Sequence, residues 1–176
     1  MAGKVLVVVD MQKDFVDGAL GTKEAQAIVP AVLAKVRGWK GRVVFTQDTH
    51  YENYRDTQEG KLLPVPHCIV GTPGWELLPE LAAYAKEHHC LVFRKNSFGS
   101  LTVATDLQQG NEEDPIEGIE LIGLCTDICV VSNALLIKAV LPEIPVSVDS
   151  SCCAGVTPAS HEAALTTLRS CQVHVY

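Results

Sequence analysis

The sequence predicts an α/β protein, a doubly wound sheet of about six mostly parallel strands with helices on both faces, Rossmann-like in topology. Short, β-branched apolar runs recur along the chain, and segments with apolar residues at helical spacing separate them. Strands that alternate with helices imply parallel pairing and right-handed crossovers. At 176 residues and 47% hydrophobic content the chain supports one sizeable core, so residues 1–176 are read as a single domain.

The strands are expected at residues 5–9, 43–45, 91–93, 119–124 and 144–148, with a short closing strand around 173–176. Helical spacing marks residues 25–36, 75–86, 127–140 and 158–168. Pro30 and Pro79 must sit near first turns or kink their helices, because proline donates no backbone hydrogen bond. Residues 48–74 form a long irregular stretch, and a loop of that length in a compact domain is more often functional than idle. Residues 108–115 are polar and acidic and are read as a solvated loop.

A formal charge of -7 without any Lys/Arg-rich block opposes binding to nucleic acid. The apolar runs are strand-sized, well short of the roughly 20 residues that span a bilayer. Met1 to Lys4 leads straight into a strand without the features of a signal peptide, so a cytoplasmic protein is expected. Seven cysteines, an odd number at irregular spacing without a C-x-x-C pair, point to reduced thiols.

In an open α/β sheet, ligands bind beyond the carboxyl ends of the strands, near the point where strand order reverses. Asp10 ends the first predicted strand, Asp48 follows the second, Lys95 follows the third, and Cys125 to Cys129 follow the fourth. Polar chemistry is therefore delivered to one sheet edge. Cys129 falls within the first turn of the following helix, where backbone N–H groups and the helix dipole favour a thiolate and can receive an oxyanion.

Several ordered motifs resemble the isochorismatase-like cysteine hydrolases and, within them, the nicotinamidases and pyrazinamidases. They are the run Val9-Asp10-Met11-Gln12-Lys13-Asp14-Phe15, the run Gln47-Asp48-Thr49-His50, residues 66–74 around His67, Lys95 before Asn96-Ser97-Phe98, and residues 123–130. The resemblance implies a triad of Asp10, Lys95 and Cys129, with Cys129 as nucleophile and Asp10 as proton shuttle. It further implies a cis peptide before Cys125 and an oxyanion hole from the backbone N–H groups of Cys125 and Cys129.

Asp48, His50 and His67 match metal ligands of nicotinamidases, and imidazole and carboxylate suit zinc, with iron or manganese as alternatives. Many relatives carry a further histidine between the positions of His50 and His67, which this chain lacks; a few nicotinamidases place an acid there instead, and the resemblance so implies Glu59 as the fourth ligand, with Glu52 and Asp56 as alternatives. Phe15 resembles an aromatic that packs on the substrate ring. The chain departs from many relatives in carrying Leu62-Leu63-Pro64-Val65-Pro66 where they have an aromatic before the residue matching His67. His161 is given no site role, and Cys152 and Cys153 are read as packing residues. The activity implied is hydrolysis of a small-molecule amide, nicotinamide, with a homo-oligomer possible by analogy. Hydrolysis of a ureido amide or isochorismate, or a non-catalytic thiol or metal module, are the rival readings.

Overall fold

Strand β1 (Gly3–Val9) carries an unbroken aliphatic run because both of its faces are covered: Val5, Val7 and Val9 enter one hydrophobic cluster, and Leu6 and Val8 enter another. The structure, a computed structural model, describes residues 3–176; Met1 and Ala2, which begin the segment read as lacking a leader, lie outside the described residues. Strands β2 (Arg42–Asp48) and β4 (Ile116–Leu124) flank β1. β3 (Leu91–Lys95) extends one side, and β5 (Val146–Ala154) and β6 (His174–Val175) extend the other. The sheet has six strands in the order β3-β2-β1-β4-β5-β6, and every pairing is parallel. The chain builds outward from β1 to β3 and then returns to the other side, so strand order reverses between β1 and β4.

Helices α1 (Lys13–Val16) and α2 (Lys23–Gly38) cover the Leu6 and Val8 face. A short α3 (Gln58–Leu62) lies within the long connection, and α4 (Pro79–Glu87) joins the same face through Leu81 and Ala85. Helices α5 (Leu101–Glu113), α6 (Val131–Val140) and α7 (Pro158–Ser170) cover the opposite face. Helix starts follow local chemistry: the Thr22 hydroxyl accepts from the Ala25 N–H at 3.0 Å, and Thr157 with Ser160 forms a capping box ahead of α7. No helix among the described residues is long and apolar enough to cross a membrane.

Some elements differ from the sequence reading. Residues 108–115 are not a free loop, because α5 continues to Glu113; Val103, Ala104 and Leu107 bury one face, and the Ser100 hydroxyl caps the start by accepting from the Val103 N–H. Pro30 lies in the middle of α2 instead of its first turn, whereas Pro79 opens α4 as expected. The segment 75–78 precedes α4, and a 3-10 turn occupies Pro73–Trp75. β5 runs on to Ala154, past the polar residues Asp149, Ser150 and Ser151, after a register irregularity against β4.

Candidate active site and metal centre

The carboxyl ends of β1 to β4 meet at the point of strand reversal, and four chemically active side chains meet there. Asp10 leaves β1 with φ of 46°, a left-handed turn that folds its carboxylate back over the sheet edge. Its N–H donates to the Thr46 hydroxyl at 3.1 Å, and that hydroxyl donates to Asp10 Oδ1 at 2.6 Å. Lys95, the last residue of β3, sets its Nζ 2.7 Å from Asp10 Oδ2 and 3.2 Å from Asp48 Oδ1, and donates to Cys129 Sγ at 3.4 Å. Asp10 Oδ2 has no well-aligned hydrogen-bond donor, yet the Lys95 charge at that distance attracts it whatever the angle.

Cys129 arrives from the end of β4. Gly123 pairs with Val9 and has φ of 117°, and a Cβ there would lie 2.1 Å from the Val9 carbonyl oxygen, so the close strand approach needs glycine. The Leu124–Cys125 peptide is cis, as the motif implied. A π-helical turn over Thr126–Val130 then carries Cys129 into a buried position. The Thr126 hydroxyl packs 2.8 Å from His161 Nδ1 in α7, so a histidine with no role assigned from sequence braces the turn.

Electrostatics fix the resting protonation of this group. Burial and the neighbouring Asp10 charge push the Cys129 thiol well above its ordinary value against the opposing pull of Lys95. The thiol is thus held protonated, because burial and a nearby carboxylate outweigh the pull of the helix end and of Lys95. Burial likewise raises Asp10, with Asp48 adding to the rise and Lys95 opposing it. For Lys95 burial favours the neutral amine, but the Asp10 and Asp48 carboxylates keep it charged.

Asp48 faces two ways. Its Oδ2 lies 3.0 Å from His50 Nε2 and 3.6 Å from His67 Nε2, and Glu59 Oε1 lies 3.6 Å from each of those nitrogens. Burial disfavours the Asp48 charge, but the facing imidazoles of His50 and His67 and the charge of Lys95 hold its carboxyl below the usual range. Among the described residues Asp48, His50 and His67 form a group that could hold a metal ion, their ligand atoms within 4.8 Å of one another.

These residues fit a divalent ion. His50 Nε2 is buried without a hydrogen-bond partner, a costly arrangement unless something else satisfies it. A tetrahedral ion with bonds of roughly 2.0–2.1 Å spaces its ligands about 3.3 Å apart. The contacts of 3.0 to 3.6 Å around the two imidazoles have that scale. Glu59, on α3, turns into the cluster, while Glu52 and Asp56 are exposed. Phe15 sets its ring 5.4 Å from that of His67 and lines the same cavity as Cys129.

Supporting residues escaped the sequence reading. The buried Gln12 side chain accepts from the Asp48 N–H at 2.7 Å and donates to the carbonyls of Asp48 and Trp75, each at 2.8 Å. Asp14 accepts from the Cys68 N–H at 2.7 Å, immediately beside His67. The signal for both was their place in the motif after β1; for Thr46 it was a hydroxyl directly after the apolar run Val43 to Phe45.

The Isochorismatase domain family matches residues 4–176. The nicotinamidase/pyrazinamidase of Mycobacterium tuberculosis is 28% identical over 187 aligned residues, covering 98% of this chain and 97% of that one. The solved nicotinamidase/pyrazinamidase of Bacillus subtilis superposes with a TM-score of 0.85 at 28% identity, covering 99% of both chains. The pyrazinamidase of Pyrococcus horikoshii, solved in complex with zinc, gives 0.77 at 26% identity over 99% of this chain and 98% of that one. With the match running through every strand of the sheet and every residue of the cluster, the chain belongs to the isochorismatase family.

Proposed function

We propose that residues 1–176 act as one hydrolase domain, a nicotinamidase that converts nicotinamide and water to nicotinate and ammonia through a thioester on Cys129. The observation that carries this reading is that Cys129, in contact with Lys95 and through it with Asp10, lines the same cavity as the Asp48–His50–His67 cluster. Relatives of like length at 28% identity are nicotinamidases, which supports the substrate.

Because the resting thiol is protonated, the reaction needs a base in contact with it. Asp10 takes the Cys129 proton, and the sulfur attacks the carboxamide carbon. The oxyanion that forms is received by the backbone N–H groups of Cys125 and Cys129. Asp10 returns the proton to the departing nitrogen, ammonia leaves, and a thioester remains. Water, deprotonated by Asp10, then cleaves the thioester to nicotinate and restores the thiol. Lys95 stays charged throughout, holding Asp10 in place and offsetting the negative charge of each step.

Asp48, His50, His67 and Glu59 would hold the metal, zinc by the precedent of the Pyrococcus horikoshii protein. When bound, the ion supplies a Lewis-acid contact for the ring nitrogen of the substrate. Phe15 packs on the ring. Seven free cysteines favour a reducing, cytoplasmic compartment, where nicotinamide hydrolysis serves NAD salvage. A thiol switch would leave the Asp10 and Lys95 contacts without purpose, and an isochorismate hydrolase would not need the two-histidine cluster.

The test is ammonia release from nicotinamide by the purified protein, with and without a chelator, using Cys129→Ala as the blank. Release that needs both metal and Cys129 is expected. A metal-loaded protein with an alkylatable Cys129 and no release would move the substrate to a ureido or other amide.

A further inference from the structure

The cavity above Cys129 measures about 810 Å³. That is near the upper end of the roughly 300–1,000 Å³ that accommodates drug-sized ligands, and a single-ring carboxamide would fill only a small part of it. Its floor is polar and buried, built from Asp48, His50, His67 and Cys129. Its mouth is apolar and open: Leu62 is 79% exposed, Phe98 50% and Val156 49%.

These side chains come from the end of α3, the segment after β3 and the segment after β5, and Leu63 and Ile128 line the same cavity. Single exposed apolar residues are ordinary; several converging from separate segments on one cavity mouth mark a ligand contact.

We propose that this vestibule is a subsite for an apolar substituent on the substrate ring, so that the enzyme prefers aryl- or alkyl-extended pyridine carboxamides to nicotinamide itself. The proposal rests on the nicotinamidase reading. With the carboxamide at Cys129 and the ring nitrogen turned to the Asp48–His50–His67 cluster, the ring edge between them faces the floor. The C5 position, directly across the ring from that edge, faces the mouth. A group at C5 leaves both floor contacts intact and meets the leucines and Phe98.

Burying about 55 Å² of phenyl surface at roughly 25 cal/mol per Å² corresponds to about a tenfold change in affinity. The vestibule touches nothing that changes during the reaction, so the gain falls in KM and leaves kcat alone.

Ammonia release from nicotinamide and from 5-phenylnicotinamide by the metal-loaded protein tests this, alongside Leu62→Ser and Phe98→Ser, both at exposed positions that do not support the core. The expected result is a KM for the phenyl compound about tenfold below that for nicotinamide at similar kcat, with the gap collapsing toward unity in either variant. Calorimetric binding of the two amides to Cys129→Ala should give the same gap without turnover. Nicotinamide turnover with no gap, or a gap that survives both substitutions, overturns the proposal alone. No gap together with a dimer that Leu62→Ser dissociates would assign the rim to a second copy of the chain, also overturning it. Release from neither amide overturns the nicotinamidase reading and this proposal with it.

Discussion

Thr46→Val removes one buried hydroxyl and otherwise keeps the shape of the side chain. That hydroxyl donates to Asp10 Oδ1 at 2.6 Å and accepts from the Asp10 N–H at 3.1 Å. The donated bond favours the charged carboxylate, so its loss must raise Asp10 further in the direction that burial already drives it. A hydrogen bond to a charged group contributes about 1.5–3 kcal/mol, and one pKa unit is about 1.4 kcal/mol, so the rise should be about one to two units. A base that is protonated over a wider range loses activity first at low pH. The acid limb of kcat/KM against pH for ammonia release should therefore move upward by about one to two pH units, with activity recovering at higher pH. The limb belongs to the Asp10–Lys95–Cys129 group as a whole, but of its members only Asp10 is given the Thr46 hydroxyl. The orphaned Asp10 N–H should separately cost about 1–3 kcal/mol of stability, read from urea unfolding. Thr46→Ser, which keeps the hydroxyl, should restore the limb. A limb that stays in place in Thr46→Val despite the stability loss would show that the hydroxyl only packs, and the protonation argument would fail.

Glu59→Gln keeps the size of the side chain but removes its charge beside His50 and His67. Zinc affinity, measured by competition with a chromogenic chelator, should fall by about 100-fold or more, beyond the typical range for groups that only support ligands; unchanged affinity would remove Glu59 from the ligand set. Asp14→Ala frees the Cys68 N–H beside His67. By the same assay it should weaken zinc by about 10–100-fold, and no change would mean that the loop holds His67 unaided. Gly123→Ala drives a Cβ to 2.1 Å from the Val9 carbonyl oxygen at the centre of the sheet. It should cost about 3 kcal/mol or more, and a wild-type urea midpoint would contradict the close approach of β1 and β4.

The parallel sheet was legible because its central strands are buried on both faces and must read as aliphatic runs. The polar residues that interrupt those runs then mark the strand ends where ligands gather. Asp10, Asp48, Lys95 and Cys129 all follow from that rule. α5 was harder to read, since its buried face is only Val103, Ala104 and Leu107 and its second half is polar, so the helical period fades before Glu113. The end of β5 was hidden for a related reason. Asp149 and Ser151 look like turn residues, but Lys35 of α2 pairs with Asp149 at 2.7 Å and Ser151 donates to it, which lets the strand continue. The upward push on the Cys129 thiol was not legible because depth of burial and the facing carboxylate are tertiary facts that sequence does not carry.

The same limit explains why the support of the site was less visible than its chemistry. Asp48 offers one oxygen to Lys95 and the other to the imidazoles, so the triad and the metal cluster share a single carboxylate. A shared group must be held more tightly than either centre alone would need, because a shift toward one weakens the other. Gln12 supplies that hold by bonding both the N–H and the carbonyl of Asp48, fixing its backbone against β1. Two residues further along, Asp14 fixes the backbone beside His67, and Phe15 packs against its ring. The segment after β1 thus provides Asp10, the proposed proton shuttle, and also sets the position of two proposed ligands, Asp48 and His67, that reach the cluster from other parts of the chain. Displacing that segment would disturb both centres together, which is why its alternating Asp10, Gln12 and Asp14 belong to one functional unit with Asp48.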